Sequence, residues 1–396
     1  MESQKSNTPL GASPTETDVL VIGGGVSGCS MAYYLAREGI DVLVIDRDEI
    51  NSAASGRNAG SLHLQLMPFS FLRAGLAERR GRQRVLPLFL RAAETWHELG
   101  RELDCDIELS RCGGLMVAET DEQMRFLDAK ISRERAEGLD VEMLTGSEIR
   151  ELAPYLSDRV IGGEFCPDEG KLNPIRAIPA LARGAERACA RILRHRRLIS
   201  LNSESGGFLA ETTSGLIRCR RVVNAAGAFS AAVADLVGVR LPVSQKCVQT
   251  HITESAPAGT VAHLVCHAQK ILSLKQVANG NVIIGGGWQG RIHQAHQQPT
   301  VVRNSITGNL FTAIQVVPGL GRLRMLRSWA GINIISDGMP ILGEVPSVPG
   351  FFNSIPTDSG LTLGPVCARL VAEQIAGKVP SFDLSPYSID RFSEAA

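Results

Sequence analysis

Three glycines at G-x-G-x-x-G spacing, Gly23, Gly25 and Gly28, and an acid, Asp46, that closes the next apolar run carry the clearest chemistry in this chain. They lie in VIGGGVSGCSMAYYLAREGIDVLVIDRD, Val21 to Asp48. Each residue type suits a separate task in holding a dinucleotide. Gly23 to Gly25 make a tight turn. Gly25 lets the backbone approach a pyrophosphate, which then sits on a helix N-terminus. Gly28 permits close helix–strand packing, and Asp46 is placed to accept hydrogen bonds from a ribose hydroxyl. Such a motif needs a strand–turn–helix–strand context. The pattern supplies it: an apolar strand over Asp18 to Ile22, a helix from Val26 to about Glu38 ended by Gly39, and a second strand over Asp41 to Asp46. A glycine turn without a ligand accounts for neither Gly28 nor Asp46. The motif does not by itself distinguish NAD from FAD.

The next stretch begins to separate the two. NSAASGRNAGSLHLQ, Asn51 to Gln65, is small and polar and then turns apolar. A simple nicotinamide dehydrogenase goes straight into its next helix. A loop of this kind can lay backbone amides along a longer, permanently held ligand. A flexible Ser/Gly linker is the alternative, weakened by the ordered apolar pattern on both sides. Later, VVNAAG is an apolar strand running into residues too small to block a close ligand. SGLTLGP opens a helix whose apolar periodicity continues from Val366 to Ile375, and amides at its N-terminus attract partial negative charge.

From Asp18 to about Gly377 the chain resembles the D-amino-acid oxidase superfamily of FAD enzymes, in the branch with glycine oxidase, sarcosine oxidase and heteromeric amine dehydrogenases. Five motifs carry the likeness in the family's order: RCGGLMVAETDEQ (Arg111 to Gln123), GGEFCPDEGKLNP (Gly162 to Pro174), RRVVNAAGAFS (Arg220 to Ser230), RSWAGINIISDGMPILG (Arg327 to Gly343) and SGLTLGP (Ser359 to Pro365). The resemblance implies FAD as cofactor. Beyond the glycines and Asp46, it implies FAD contacts at Val26, Ser27 and Arg47. In the loop it implies Ser52, Ser55, Gly56, Arg57, Asn58, Ala59, Gly60 and Ser61. Further along it implies Leu198, Ala226, Gly227, Gly331 and Asp337, and Gly360, Leu361 and Thr362 through their backbones. His-linked relatives attach flavin in the loop after the second strand, where Arg57 stands here. Cys-linked relatives use a cysteine just before the late flavin motif, and Met325 to Ala330 hold none. Non-covalent FAD is therefore expected.

The family oxidises a C–N bond by hydride transfer to flavin N5, which the cofactor itself makes possible. His63 and Gln65 alternate with Leu62 and Leu64, and in a strand they would point the same way. They read either as a polar pair facing the flavin or as satisfied polar residues under the domain interface. Lys275, on a strand of the substrate domain, either approaches the active site or is an exposed edge lysine. His251 is as evenly divided. His293 and His296, without nearby acids or cysteines, read as a solvated loop, and no metal site is expected. Relatives acting on simple amino acids place an arginine in the W-A-G-x-R-P stretch, where it grips a carboxylate. Here Asn333 follows Trp329, Ala330, Gly331 and Ile332, and Asp358 stands where relatives tend to have histidine. Either another cation, Lys275 or Arg327, replaces that arginine, or the substrate has no carboxylate near its reacting carbon.

The resemblance implies an α/β architecture: a Rossmann-like FAD-binding domain interleaved with a smaller α+β substrate domain on a mostly antiparallel sheet. Residues 1–16 would be a disordered tail. The FAD domain would take 17–92, 160–232 and 326–390, and the substrate domain 93–159 and 233–325. A chain of 396 residues suits two domains, and 44% hydrophobic residues can fill their cores. Lys plus Arg equals Asp plus Glu at 41 each, which argues against nucleic acid or an anionic membrane as main partner. No apolar run is long enough to span a bilayer, and the first residues lack a signal peptide's apolar core. Nine scattered cysteines with no C-x-x-C pair fit reduced thiols in a cytoplasmic protein, Cys29 in the first helix being a buried one.

The leading functional expectation is a dehydrogenase of a secondary amine, opine-like or imino-acid, working as the FAD subunit of a complex. NAGSLHLQL resembles the β-type subunits of such complexes, whose partners carry a second flavin and/or an iron–sulfur cluster. The alternatives are a stand-alone amine oxidase that makes hydrogen peroxide, and a non-catalytic flavin-binding subunit.

Overall fold

The computed structural model describes residues 14–67, 84–293, 295 and 297–395; residues 1–13 of the expected tail and His296 lie outside them. Two compact units divide the chain: Met1–Gly56, Ala177–Ser244 and Pro340–Ala396 form one, Arg57–Arg176 and Gln245–Met339 the other. Residues 57–67, 84–92, 160–176 and 326–339, expected with the cofactor domain, fall in the second unit, and 233–244, expected with the substrate domain, fall in the first.

The first unit is built on a sheet with the strand order Ile341–Glu344, Phe351–Ile355, Gly215–Asn224, Thr15–Ile22, Val42–Ile45 and Arg191–Leu193. From Phe351–Ile355 onward in that order the four pairings are parallel. Parallel strands need crossovers, and the helix Val26–Arg37 makes the first. Val19 to Val21 and Val42 to Val44 are wholly buried, the continuous apolar runs of strands covered on both faces. The first strand starts at Thr15, inside the expected tail. Thr15 to Thr17 pair with Ile217 to Cys219, because Gly215–Asn224 is long enough to offer them partners. Helix Gly360–Ile375 packs on Val26–Arg37: a Cβ on Gly364 would lie 2.8 Å from Val26 Cγ1. Cys29 is fully buried, and burial, then the charge of Asp46, pushes its thiol up to about 12, so it packs as a neutral group.

The second unit holds an eight-stranded sheet ordered Met325–Ile335, Ser244–Ser255, Asn281–Gly285, Ser273–Gln276, Leu264–His267, Gly114–Ala118, Gly162–Cys166 and Glu142–Thr145. From Ser244–Ser255 onward in that order the pairings are antiparallel, except Leu264–His267 with Gly114–Ala118. Alternation sorts its side chains. Leu115, Val117, Val265, Leu274 and Ile284 bury themselves with Ala313 and Val316 of the helix Arg303–Val316. Ser273 and Lys275, one residue to either side of Leu274, therefore point from the opposite face. No helix among the described residues is long and apolar enough to cross a membrane.

Candidate functional site

In the first unit the glycine turn shows which positions the fold itself requires. Gly23 has φ +113°, and a Cβ there would lie 2.5 Å from Ala225 O. A Cβ on Gly28 would lie 1.8 Å from Gly23 O, so the helix crosses the turn at a distance no side chain permits. Gly25 differs. It is the N-cap of the helix at φ −83°, makes no side-chain cap, and a Cβ there would meet only Ser55, its Oγ at 2.9 Å. Ser55 Oγ accepts the Val26 amide at 3.0 Å, while Ser27 Oγ bonds Ser354. Gly56 is held by the loop, since a Cβ would sit 1.9 Å from Asn51 O. Ala226 flanks Gly23, and Gly227 has φ +54°. Ser52 is exposed, and Leu198 opens the strand Leu198–Glu204. Helix Gly360–Ile375 also starts without a side-chain cap, and a Cβ on Gly360 would meet nothing within 4 Å. Leu361 and Thr362, in its first turn, are buried. Two helix starts whose N-cap residues give no side-chain cap, beside space kept clear by glycine, suit the phosphates and the electron-rich ring edge of a flavin dinucleotide.

Asp46 does more than the sequence suggests. Its Oδ2 accepts the Gly24 amide at 2.6 Å and its Oδ1 the Asp48 amide at 2.8 Å. Burial raises its carboxyl above the usual range, although these amides oppose the rise. Neighbouring Arg47 lies over the Phe229 ring at 3.7 Å and pairs with Asp48. Asp46→Ala is thus expected to cost FAD about 1–3 kcal/mol of binding and also to lower the melting temperature of the apoprotein. Fluorescence titration of FAD and apoprotein melting check both; unchanged FAD affinity contradicts a ribose contact.

The second unit gathers a different set. Arg57 donates to Ala330 O at 3.1 Å and receives Trp329 Nε1–H on its own carbonyl at 2.8 Å. Asn58 Oδ1 accepts the Gly60 amide at 2.6 Å, closing the turn around Ala59. Gly60 has φ +84°, and a Cβ on it would lie 2.2 Å from Leu172 O and 2.9 Å from Lys275 Nζ. Ser61 and Leu62 pair with Lys171 and Gly170. The strand ends there, so His63 and Gln65 are not the same-face strand pair that alternation suggests. They part instead: His63 Nε2 meets Ser273 Oγ at 3.2 Å, and Gln65 Nε2 donates to Gly114 O at 3.2 Å.

Lys275 is 1% exposed on a central strand, which excludes the exposed-edge alternative. Its Nζ has no hydrogen-bond partner among the described residues. Burial first, and the charge of Lys171 second, hold its amine well below the ordinary lysine range. Arg327 is exposed, which leaves Lys275 as the buried one of the pair. His251 is buried with Nδ1 on Ser328 Oγ at 2.8 Å; it pairs with core Ile284, and burial lowers it to about 4. Asn333 is half-buried near the end of Met325–Ile335, after buried Gly331, and Asp337 Oδ1 accepts the Met339 amide at 3.3 Å in the turn beyond. His293 is exposed on a short ribbon.

Glu169 is a residue that sequence reasoning misses. Its carboxylate is buried and takes the amides of Leu64 and Gln65 on Oε1 at 2.7 and 2.9 Å, with His63 Nδ1 3.6 Å from Oε2. Burial alone would raise it; the His63 imidazole and the two amides outweigh burial and hold it below the usual range, so it is ionised at neutral pH. Glu134 continues the ladder by accepting the Leu66 amide at 2.6 Å, and Lys130 Nζ binds Glu134 and Glu164 at 2.7–2.8 Å. An acid inside the apolar strand GGEFC is the available signal for Glu164. Nothing comparable marks Glu169, which reads as one more loop acid.

A sequence profile described as "FAD dependent oxidoreductase", DAO, matches residues 18–374. Glycine oxidase of Geobacillus kaustophilus (strain HTA426) is 28% identical, over 94% of this chain and 97% of its own. The crystal structure of glycine oxidase from that species superposes with a TM-score of 0.83 at 26% identity, covering 95% and 99% of the two chains. An opine oxidase subunit of Rhizobium meliloti is 27% identical over 95% of this chain and 98% of its own. L-proline dehydrogenase from P. horikoshii, 23% identical with a TM-score of 0.85 over 97% and 99% of the chains, shares the fold.

Proposed function

The chain belongs to the DAO family of FAD-dependent oxidoreductases, and we propose that it oxidises the C–N bond of a secondary amine or amino-acid-like substrate. The observation that carries this reading is the buried, unpartnered Lys275 amine. An amine substrate arrives mostly as its ammonium form, which has no lone pair to assist C–H cleavage. A lysine kept neutral by burial accepts that proton at Nζ and leaves the reactive free amine. FAD, when bound, supplies at N5 the acceptor for the hydride that leaves the substrate carbon. The imine product hydrolyses in water. His63, the more exposed of the pair His63 and Gln65, orients the amine from the adjoining segment, and Asn333 supplies a neutral amide where a carboxylate-gripping arginine would stand. FAD is held without a covalent bond, because Arg57 occupies the expected attachment position and cannot form that link.

The names of the relatives, glycine oxidase among them, support amine chemistry, and a relative named as one subunit of an opine oxidase supports a heteromeric setting. We place this chain as the FAD-bearing subunit, with electrons passing to partners that carry a second flavin and/or an iron–sulfur cluster. A cytoplasmic location follows from reading the nine free cysteines as reduced thiols. The test is turnover of the isolated chain. Activity with an artificial dye and no hydrogen peroxide supports the subunit reading. Stoichiometric peroxide in air overturns it in favour of the stand-alone oxidase.

A further inference from the structure

Lys130, Glu134 and Glu164 form a closed cluster in the second unit. Lys130 and Glu134 stand four apart on the helix Asp121–Ala136, and Glu164 belongs to the strand Gly162–Cys166. Lys130 Nζ lies 2.7–2.8 Å from all four carboxylate oxygens, and the three residues are buried. With both acids ionised the cluster would carry one net negative charge out of reach of bulk water, and an uncompensated buried charge is costly. One proton on the pair of carboxylates removes it. We propose that Glu164 keeps that proton and that Glu134, left ionised beside Lys130, is a positioning residue for His63, so that the placement of His63 is sensitive to alkaline pH. The inference rests on the reading that His63 orients the amine.

The hydrogen bonds decide which acid holds the proton. Glu134 Oε1 accepts the Leu66 amide at 2.6 Å as well as the Lys130 ammonium, and each such donor favours the ionised form. The charged groups facing Glu164 are Lys130 and Glu134. Its partners on the two neighbouring strands are Met116 and Met143, which carry no charge. Cys266, beyond Met116 and within the field of Glu169 and Lys130, is kept a neutral thiol by burial. Burial, and after it the charge of Glu134, hold the Glu164 carboxyl well above the usual range against the pull of Lys130. The link to His63 is the backbone. Glu134 holds Leu66, and Glu169 holds Leu64 and Gln65, so the segment that follows His63 is fixed by two carboxylates instead of by a strand. Once Glu164 loses its proton, a second ionised carboxylate competes for Lys130. Opening the cluster to water relieves the excess charge, and among the described residues the Leu66 amide is its partner outside the helix and the strand.

Glu164→Gln imitates the protonated acid and has no proton to lose. The FAD-loaded wild type should show an infrared band of a protonated carboxyl at neutral pH that Glu164→Gln lacks. The folded chain keeps on Glu164 a proton that the unfolded chain releases above the ordinary carboxylate range, so wild-type stability falls as pH rises through that window. The melting temperature of Glu164→Gln should therefore gain on wild type as pH rises, and wild-type turnover should slow relative to Glu164→Gln. Glu134→Ala removes the acceptor of the Leu66 amide, while Glu164 then pairs with Lys130 and the cluster stays neutral. Glu134→Gln retains an acceptor. With the fastest amine from glycine, sarcosine, L-proline and octopine, Glu134→Ala should lower kcat about tenfold or more, and Glu134→Gln should bring it back to within about threefold of wild type. The nitrogen-15 NMR signals of His63, assigned by their loss in His63→Gln, should move in Glu134→Ala and return in Glu134→Gln. An unchanged carboxyl band in Glu164→Gln overturns the proposal, and so does a Glu134→Ala variant that is less stable yet keeps kcat and the His63 signals. If no amine reduces the wild-type flavin, the functional reading fails, while the infrared and NMR results still decide the roles of Glu164 and Glu134.

Discussion

Lys275→Met should slow anaerobic flavin reduction by about 10²-fold or more, the usual range for loss of a positioned general base, and should make the protein more heat-stable. The two effects share one cause. An amine without a hydrogen-bond partner in a closed core is held neutral against its ordinary preference, and that costs stability. The sign follows from proton counting. The folded-state pKa of Lys275 is depressed, so over the window below the ordinary lysine range the unfolded chain binds a proton that the folded chain has released. Stability therefore falls as pH falls through that window. Methionine has similar length and no such term, so the melting-temperature advantage of Lys275→Met should widen from about pH 10 down to neutral. Stopped-flow reduction and melting curves at several pH values check both halves. A variant that is slower but also less stable would mean that Lys275 is a structural post.

The second large effect concerns the cofactor. Gly25→Val is expected to abolish FAD binding and leave the apoprotein folded, whereas Gly28→Ala is expected to lower stability by about 2–3 kcal/mol. A Cβ at Gly28 meets a backbone oxygen at 1.8 Å, which cannot move aside. One at Gly25 meets only the Ser55 hydroxyl, which can turn aside at the cost of its bond to the Val26 amide, so the chain's own packing requires glycine far less there than at Gly28. Flavin absorbance and circular dichroism of the two purified variants measure this. Full yellow colour in Gly25→Val would remove the pyrophosphate assignment. Two equally unfolded variants would show that Gly25 serves the fold.

How far the sequence discloses each half of the molecule follows from how local its determinants are. The turn Gly23 to Gly28, its helix and Asp46 lie within one short strand–helix–strand unit, so spacing alone discloses them. The grip of Asp46 on the Gly24 amide depends on the rotamer of a short side chain and has no sequence signature. Lys275 is ambiguous in sequence because an edge lysine and an interior one look alike until strand order is known. It is interior because Asn281–Gly285 and Leu264–His267 flank its strand, a consequence of sheet order across the second unit. The alternation argument for His63 and Gln65 fails because a strand of two residues, Ser61 and Leu62, is too short to hold period two. Two buried carboxylates, Glu169 and Glu134, take over the backbone from Leu64 to Leu66, and side chains capping amides so far away in sequence leave no local pattern.

The central claim, that this flavoprotein oxidises amines, is tested most directly by anaerobic titration of the purified FAD-loaded chain with glycine, sarcosine, L-proline and octopine, following the visible absorbance of oxidised flavin. The account predicts that at least one amine bleaches the flavin, faster at higher pH as more of the amine is unprotonated, and that Lys275→Met loses most of this rate. Flavin that dithionite reduces but none of the amines bleaches at any pH would contradict it, and would identify a protein that holds FAD without using it on amines.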